Sequence, residues 1–184
     1  MKFNYYGFKA IYVHEMNRFL RTVGQSLLSP VISTSLYFVV FGSVIGGYIQ
    51  KIDGVSYGSY IVPGLLMLTL LTQSISNTSF GIFFPKFNGT IYEILAAPIS
   101  SFEIVLAFVS AGATKTLIVG VVIFLTAQFF ADVQVQYPLL MIFLLILVSF
   151  TFALFGFLVG LVSKDFEQMS IIPSFVITPM AVSY

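Results

Sequence analysis

Three stretches of this chain, Thr22–Gln50, Gly54–Pro85 and Val133–Ser163, contain no Asp, Glu, Lys, Arg or His. Each is longer than the ~20 residues an α-helix needs to cross the hydrocarbon core of a bilayer. One such run fits a buried helix of a soluble protein; three in 184 residues do not. Only 8% of the residues are charged, against about 25% in a soluble domain, so a water-facing surface cannot be assembled. Within a bilayer the backbone must satisfy its own hydrogen bonds, which a continuous apolar run does as a helix. The chain reads as an all-α, polytopic transmembrane helix bundle forming a single domain over residues 1–184.

Breaks in the apolar pattern divide that bundle. Phe8, Tyr12, Met16, Phe19 and Val23 recur at helical spacing, with Lys9, Arg18 and Arg21 mostly on other faces. This predicts an amphipathic helix over 5–24. It lies on the membrane surface with its basic side towards the headgroups, or it packs on protein. Pro30 suits the first turn of a helix, where its missing N–H has no intrahelical partner, so the first span is expected over Pro30–Tyr48. Further spans are expected over Tyr60–Phe84, Phe102–Phe130 and Pro138–Val162. Polar connections fall at Gln50–Ser56, 86–101, Ala131–Tyr137 and Ser163–Ser170. A fifth apolar segment starts at Ile171 and reaches Tyr184, short of a full crossing. Four complete spans and a truncated fifth are therefore expected.

Lys and Arg set the orientation. Lys2, Lys9, Arg18, Arg21, Lys86 and Lys164 fall on one side of these spans and Lys51 on the other. That bias predicts a cytosolic N-terminus and a cytosolic 86–101 connection.

Several chemistries are excluded. There is no Cys, hence no disulfide, thiolate-held zinc or thiol catalysis. A net charge of +1 gives no reason to expect a nucleic-acid partner. The first 20 residues mix Lys2, Lys9, Glu15 and Arg18 among aromatics, unlike the apolar core of a cleaved signal peptide. His14 is the sole His, and no Ser/His/Asp set, metal site or carboxylate pair is recognisable. Gly112-Ala-Thr-Lys115-Thr116 resembles half a phosphate loop. It lacks the Gly before Lys and the upstream Gly, and it lies in an apolar helix, so it is no nucleotide site.

Within the spans, Gly42/Gly46 and Gly156/Gly160 place small residues on one helix face and permit close helix contact. Lys115 is the one ionisable group expected deep in a span. Such a group faces a bundle interior or water, on a transport route, or it snorkels to the interface; the second is favoured. No buried acid is expected. The cytosolic stretch Gly89-Thr-Ile-Tyr-Glu-Ile-Leu-Ala-Ala-Pro98-Ile-Ser has the length of a short helix ended by Pro98, a docking knob for a soluble partner or a plain interfacial turn.

The order Glu15-x-x-Arg18, Gln25-x-x-x-x-Pro30, Phe41-Gly42, Tyr60-x-x-Pro63-Gly64 and Gly89-Thr-Ile-Tyr-Glu93-x-Leu95-x-Ala97-Pro98-Ile-Ser resembles the ABC-2 type permeases. These are the membrane subunits of ATP-driven exporters of the drug-resistance and nodulation-factor types. The resemblance runs from about residue 10 to the end of the chain. It implies a six-span permease of a prokaryotic cytoplasmic membrane that pairs with a second permease copy. ATP would be bound and hydrolysed by a separate ABC ATPase, with no catalytic or cofactor-binding residue in this chain. It also implies that Tyr92, Glu93, Ile94, Leu95, Ala97 and Pro98 form the ATPase-coupling segment, with Ile94 and Leu95 as apolar anchors. Glu15 and Arg18 would belong to the interfacial helix. Family members extend further at the C-terminus, so the chain is expected to be truncated there. The alternative is an ATP-independent secondary carrier or channel. Carriers usually bury an acid for ion coupling and often show repeated halves; neither is evident here.

Overall fold

The computed structural model describes residues 3–41, 51–52, 55–131, 135–171 and 174. Six helices are fully described: α1 (Tyr5–Arg21), α2 (Val23–Val40), α3 (Tyr57–Asn88), α4 (Ile91–Ala96), α5 (Ser101–Gln128) and α6 (Pro138–Val162). Four of them, α2, α3, α5 and α6, are long and apolar enough to cross a membrane. The expected all-α polytopic bundle is the observed architecture. Two antiparallel two-residue strands, β1 (Lys51–Ile52) and β2 (Val55–Ser56), close the turn between α2 and α3.

Helix α1 ends at Arg21 rather than 24 and α5 at Gln128 rather than Phe130; two boundaries differ more widely from expectation. Pro30 does not open the first span. The helix starts at Val23, after a break at Thr22 (φ −111°, ψ 17°), and Pro30 lies buried in its interior. A proline there removes one backbone hydrogen bond but need not end a membrane helix when neighbouring groups compensate. Residues 42–50, with Gly42, Gly46 and the end of that expected span, lie outside the described residues. The second span overruns its expected end at Phe84. Helix α3 has 32 residues, about 48 Å at ~1.5 Å per residue, longer than a ~30 Å hydrocarbon core. Lys86 does not stop it because its ammonium finds partners across the bundle: Nζ donates to the carbonyls of Leu161 (2.5 Å) and Ser163 (2.8 Å) at the end of α6. Gly89, at φ 80°, ends α3 in the left-handed conformation that glycine adopts without strain.

Helix α6 occupies the expected residues, with Pro138 in its first turn. Helix α5 starts on a capping box, in which Ser100 Oγ accepts from Glu103 N and the Glu103 carboxylate accepts from Ser100 N (2.8 Å). Beyond α6 the expected polar connection folds back as helix over 166–171, and Phe166 lies edge-on to Phe83, Phe84 and Phe87 of α3. The fifth apolar segment, apart from Ile171 and Ser174, lies outside the described residues.

The core sits where α3, α5 and α6 meet. Gly156 and Gly160 of α6 face α3 so closely that a Cβ on Gly156 would stand 2.5 Å from the Ile75 carbonyl oxygen, and one on Gly160 2.6 Å from that of Ser79. Across this seam Ser74 Oγ donates to the Ser149 carbonyl (2.8 Å) and Ser79 Oγ to the Gly156 carbonyl (2.9 Å). The expectation of close helix contact at 156/160 is met by α3.

Candidate functional site

Helix α1 does not lie across the spans. Its contacts with α5 advance in step: Asn4 N donates to Glu103 Oε1 (2.5 Å), Tyr12 Oη to Thr114 Oγ1 (3.1 Å) and Lys115 Nζ to Glu15 Oε2 (2.7 Å). The partners are 99, 102 and 100 residues apart in the chain. An offset that varies by less than one helical turn means that the two helices run side by side in the same direction. The face that α1 buries is centred on Ile11, Glu15 and Phe19, with Phe8, Tyr12 and Met16 at its margins. The apolar stripe legible in the sequence is thus rotated so that an acid sits at its centre.

Lys115 accordingly does not snorkel. It is 3% exposed and Glu15 2%. Arg18 joins the same carboxylate oxygen at 2.8 Å from a half-exposed position and lies 6.0 Å above the Phe84 ring. A Cβ on Gly81 of α3 would stand 3.2 Å from Glu15 Oε2, so glycine there leaves room for the carboxylate. The expectation of no buried acid also fails, at both Glu15 and Glu103. Burying one charge is costly, but a hydrogen-bonded pair offsets much of that cost, and the pair is invisible until the two helices are placed together.

The N-terminus of α1 is fastened at the connection between α4 and α5. Asn4 Oδ1 caps α1 by accepting from Gly7 N (3.1 Å), and Asn4 Nδ2 donates to the Pro98 carbonyl (3.0 Å). Glu103 bridges Asn4 N and Ser100 N with its two oxygens. Ile99 lies against Gly7, where a Cβ would meet its Cγ1 at 2.7 Å.

Helix α4 holds the expected coupling residues. Thr90 precedes it and Ala97, in extended conformation, ends it before Pro98. Its two sides divide the expected anchors. Ile94, with Ile91 and Ile99, turns inward onto the core, whereas Tyr92 (73% exposed) and Leu95 (60%) point outward beside Glu93 and Pro98. The outward apolar pair is Tyr92 and Leu95, not Ile94 and Leu95, because residues three and four apart share a helix face.

Between α2 and α3 lies a cavity of about 220 Å³. Ser29, Ser33, Thr34 and Tyr37 line it from α2, and Thr69, Thr72 and Gln73 from α3. Thr69 and Thr72 donate to their own helix, at the Leu65 (2.8 Å) and Leu68 (3.0 Å) carbonyls, so they turn acceptor lone pairs towards the cavity. Among the described residues that line it there is no Asp, Glu, Lys, Arg or His. Reading one helix at a time missed this groove, although its hydroxyls recur at helical spacing in both spans. Among the described residues no cluster of three His, Asp or Glu could hold a metal ion.

The sequence profile of the ABC-2 type transporter family matches residues 6–182. The inner membrane transport permease YadH of Escherichia coli K12 is 37% identical over 172 residues, which cover 94% of this chain and 67% of YadH. Nodulation protein J of Neorhizobium galegae is 24% identical over 158 residues, 85% of this chain and 60% of that protein. No solved structure matches.

Proposed function

The chain belongs to the ABC-2 type transporter family as a membrane-spanning subunit of an ABC transporter, and from that premise we propose how its parts work. It resides in the inner membrane as a multi-pass protein, as the name of its YadH relative suggests, with α4 and the N-terminus in the cytosol. A separate ABC ATPase binds and hydrolyses the ATP, and this chain performs no chemistry. The ATPase docks on α4, a second permease copy completes the assembly, and the direction of transport is export. An ATP-independent carrier is not favoured. The two buried acids are each held in hydrogen bonds between α1 and α5, and the family itself runs on ATP.

The observation that carries the docking assignment is the exposure of Tyr92 and Leu95 on a helix of only six residues held between two spans. Its inner face is already occupied by Ile91 and Ile94, so the outer face is free for a partner groove. ATP-driven closure of the ATPase pushes on this knob and rocks the helices around the α2–α3 cavity, the candidate passage for substrate.

The test is capture of the cognate ATPase from detergent by the unaltered chain, Leu95→Ala and Ile94→Ala. Truncating a docking anchor commonly costs ~2 kcal/mol, which converts to about 30-fold weaker association for Leu95→Ala. Ile94→Ala, on the inward side, should lower thermal stability more than affinity. Full retention of the ATPase by a normally inserted Leu95→Ala chain removes α4 as the docking site.

A further inference from the structure

We propose that the corner between α1 and α3 binds an anionic phospholipid of the surrounding bilayer, with Arg18 and Arg21 holding its phosphate and the Phe80 and Phe84 rings carrying an acyl chain. The site lies apart from the docking helix and the α2–α3 cavity, and it needs no ATPase.

Depth, charge and shape each lead there. No Asp, Glu, Lys, Arg or His follows Arg21 until Lys51, and α2, long and apolar enough to cross a membrane, starts at Val23. The last basic residue before a span lies at headgroup level. Arg18, one turn earlier, borders the same layer. The Glu15 carboxylate meets two cations, Lys115 Nζ at 2.7 Å and Arg18 at 2.8 Å, so one positive charge is left over. Arg21, exposed on the next turn, adds a second, and no carboxylate pairs with it among the described residues.

Helix α3 runs against α5, because Gly112 faces Thr78 and Gly120 faces Leu70. Helix α1 runs with α5 and is therefore antiparallel to α3. Arg18 lies 6.0 Å from the centroid of the Phe84 ring, so the step from Arg18 to Arg21 leads along α3 from Phe84 towards Phe80. These two rings are 6.1 Å apart, and Phe80 is 39% and Phe84 41% exposed. Asp165 and Glu167 flank Phe166, whose ring meets Phe83, Phe84 and Phe87, towards the far end of α3 from Phe80. Two guanidinium groups a turn apart offer more donors than one carboxylate can use, and their planar forks match phosphate oxygens. Cations left unpaired at headgroup depth attract anionic lipid. The exposed rings beside them suit the apolar part of such a molecule, for which a soluble anion has no counterpart.

The unaltered chain, purified in detergent, is titrated with dioleoyl phosphatidylglycerol or dioleoyl phosphatidylcholine, and bound lipid is counted by native mass spectrometry. Each basic group near an anionic lipid surface contributes about fivefold in affinity, so two net charges should favour phosphatidylglycerol by about 25-fold. Arg21→Gln alters an exposed side chain and should lower that preference about fivefold. Lys9→Gln removes an exposed charge ~18 Å earlier in α1, beyond the ~8 Å reach of a charge at physiological salt, and should leave the preference unchanged. Inorganic phosphate at millimolar concentration should not displace the lipid.

Equal binding of the two lipids by the unaltered chain overturns the site, and that comparison stands whether or not a variant folds. A folded Arg21→Gln chain that keeps the full preference overturns it too. So does a Lys9→Gln chain that loses as much as Arg21→Gln, since the attraction is then diffuse. Displacement by inorganic phosphate makes the corner a site for free anions and removes the lipid assignment.

Discussion

Along one side of α3, Ser74 and Ser79 meet α6; along another, Thr69, Thr72 and Gln73 look towards α2. The residue types are nearly the same and their fates differ. On the α6 side Ser74 Oγ donates across the interface to the Ser149 carbonyl, Ser79 Oγ is shared between the Gly156 carbonyl across it (2.9 Å) and the Ile75 carbonyl of its own helix (2.6 Å), and glycine brings the backbones into contact. On the α2 side the threonine hydroxyls donate back to their own helix, and a cavity remains between the walls. Lipid tails are as apolar as leucine, so helices in a membrane hold together through close packing and interhelical hydrogen bonds rather than through the hydrophobic effect. The first face has both devices and the second has neither at the cavity. One seam is closely packed, and the other leaves a cavity between its walls.

Breaking the static seam gives the largest effect. Gly156→Leu places side-chain atoms where the Ile75 backbone already stands. Overpacking of a close-packed site costs ~1–3 kcal/mol or more. A branched side chain set against backbone belongs at the upper end, so the folded fraction recovered from membranes, followed by detergent gel filtration, should collapse. Gly64→Leu, at an exposed α3 position with open space around its Cβ, should be recovered like the unaltered chain. Equal recovery of the two variants would remove the distinction between the faces.

Water accessibility sharpens the comparison without perturbing the fold as strongly. Single cysteines at Ser33 and Thr72, on the cavity, should react with a water-soluble maleimide in isolated membranes. Cysteines at Ser74 and Ser79, both within 1% of full burial, should stay unmodified until the protein is denatured. Equal labelling of the two sets would make the α2–α3 cavity as dry as the seam.

The smallest effect is the loss of one seam hydrogen bond. Ser79→Ala removes the bond to the Gly156 carbonyl, which as a helix carbonyl still accepts from its own backbone. Interhelical bonds of this kind average ~0.6 kcal/mol in membranes and reach about 1.7, so a thermal shift of a few degrees is the expected reading. A larger loss would make the hydroxyl, rather than the glycine contact, the main tie between α3 and α6.

The Ser100–Glu103 capping box shows where the limit of legibility fell. Its spacing is readable in the sequence as a helix start, and α5 does start there. Nothing in the spacing shows that the same carboxylate also receives Asn4 N, 99 residues away in the chain. Lys115 is the sharper case. Alone in an apolar helix it reads as a side chain seeking the interface, because no partner lies within its own turn. The α1 stripe misleads in the same way. Its apolar residues define a face to within one position, and Glu15, at the centre of that face, reads as a polar edge until Lys115 is set beside it.

Local rules determined the membrane-spanning class, the extent of α6 from Pro138 to Val162, the short helix between Gly89 and Pro98, and the family. They suffice because backbone hydrogen bonding in lipid is settled within each helix, and because starts and stops depend on residues one turn apart. The tertiary structure decided that α1 runs beside α5, that Glu15 and Lys115 share a buried bond, that Lys86 holds the end of α6, and that hydroxyls from α2 and α3 surround a cavity. Helical periodicity says which residues of one helix share a face. It carries no information about which other helix that face will meet, and a charge in low dielectric is stable or ruinous according to that choice alone.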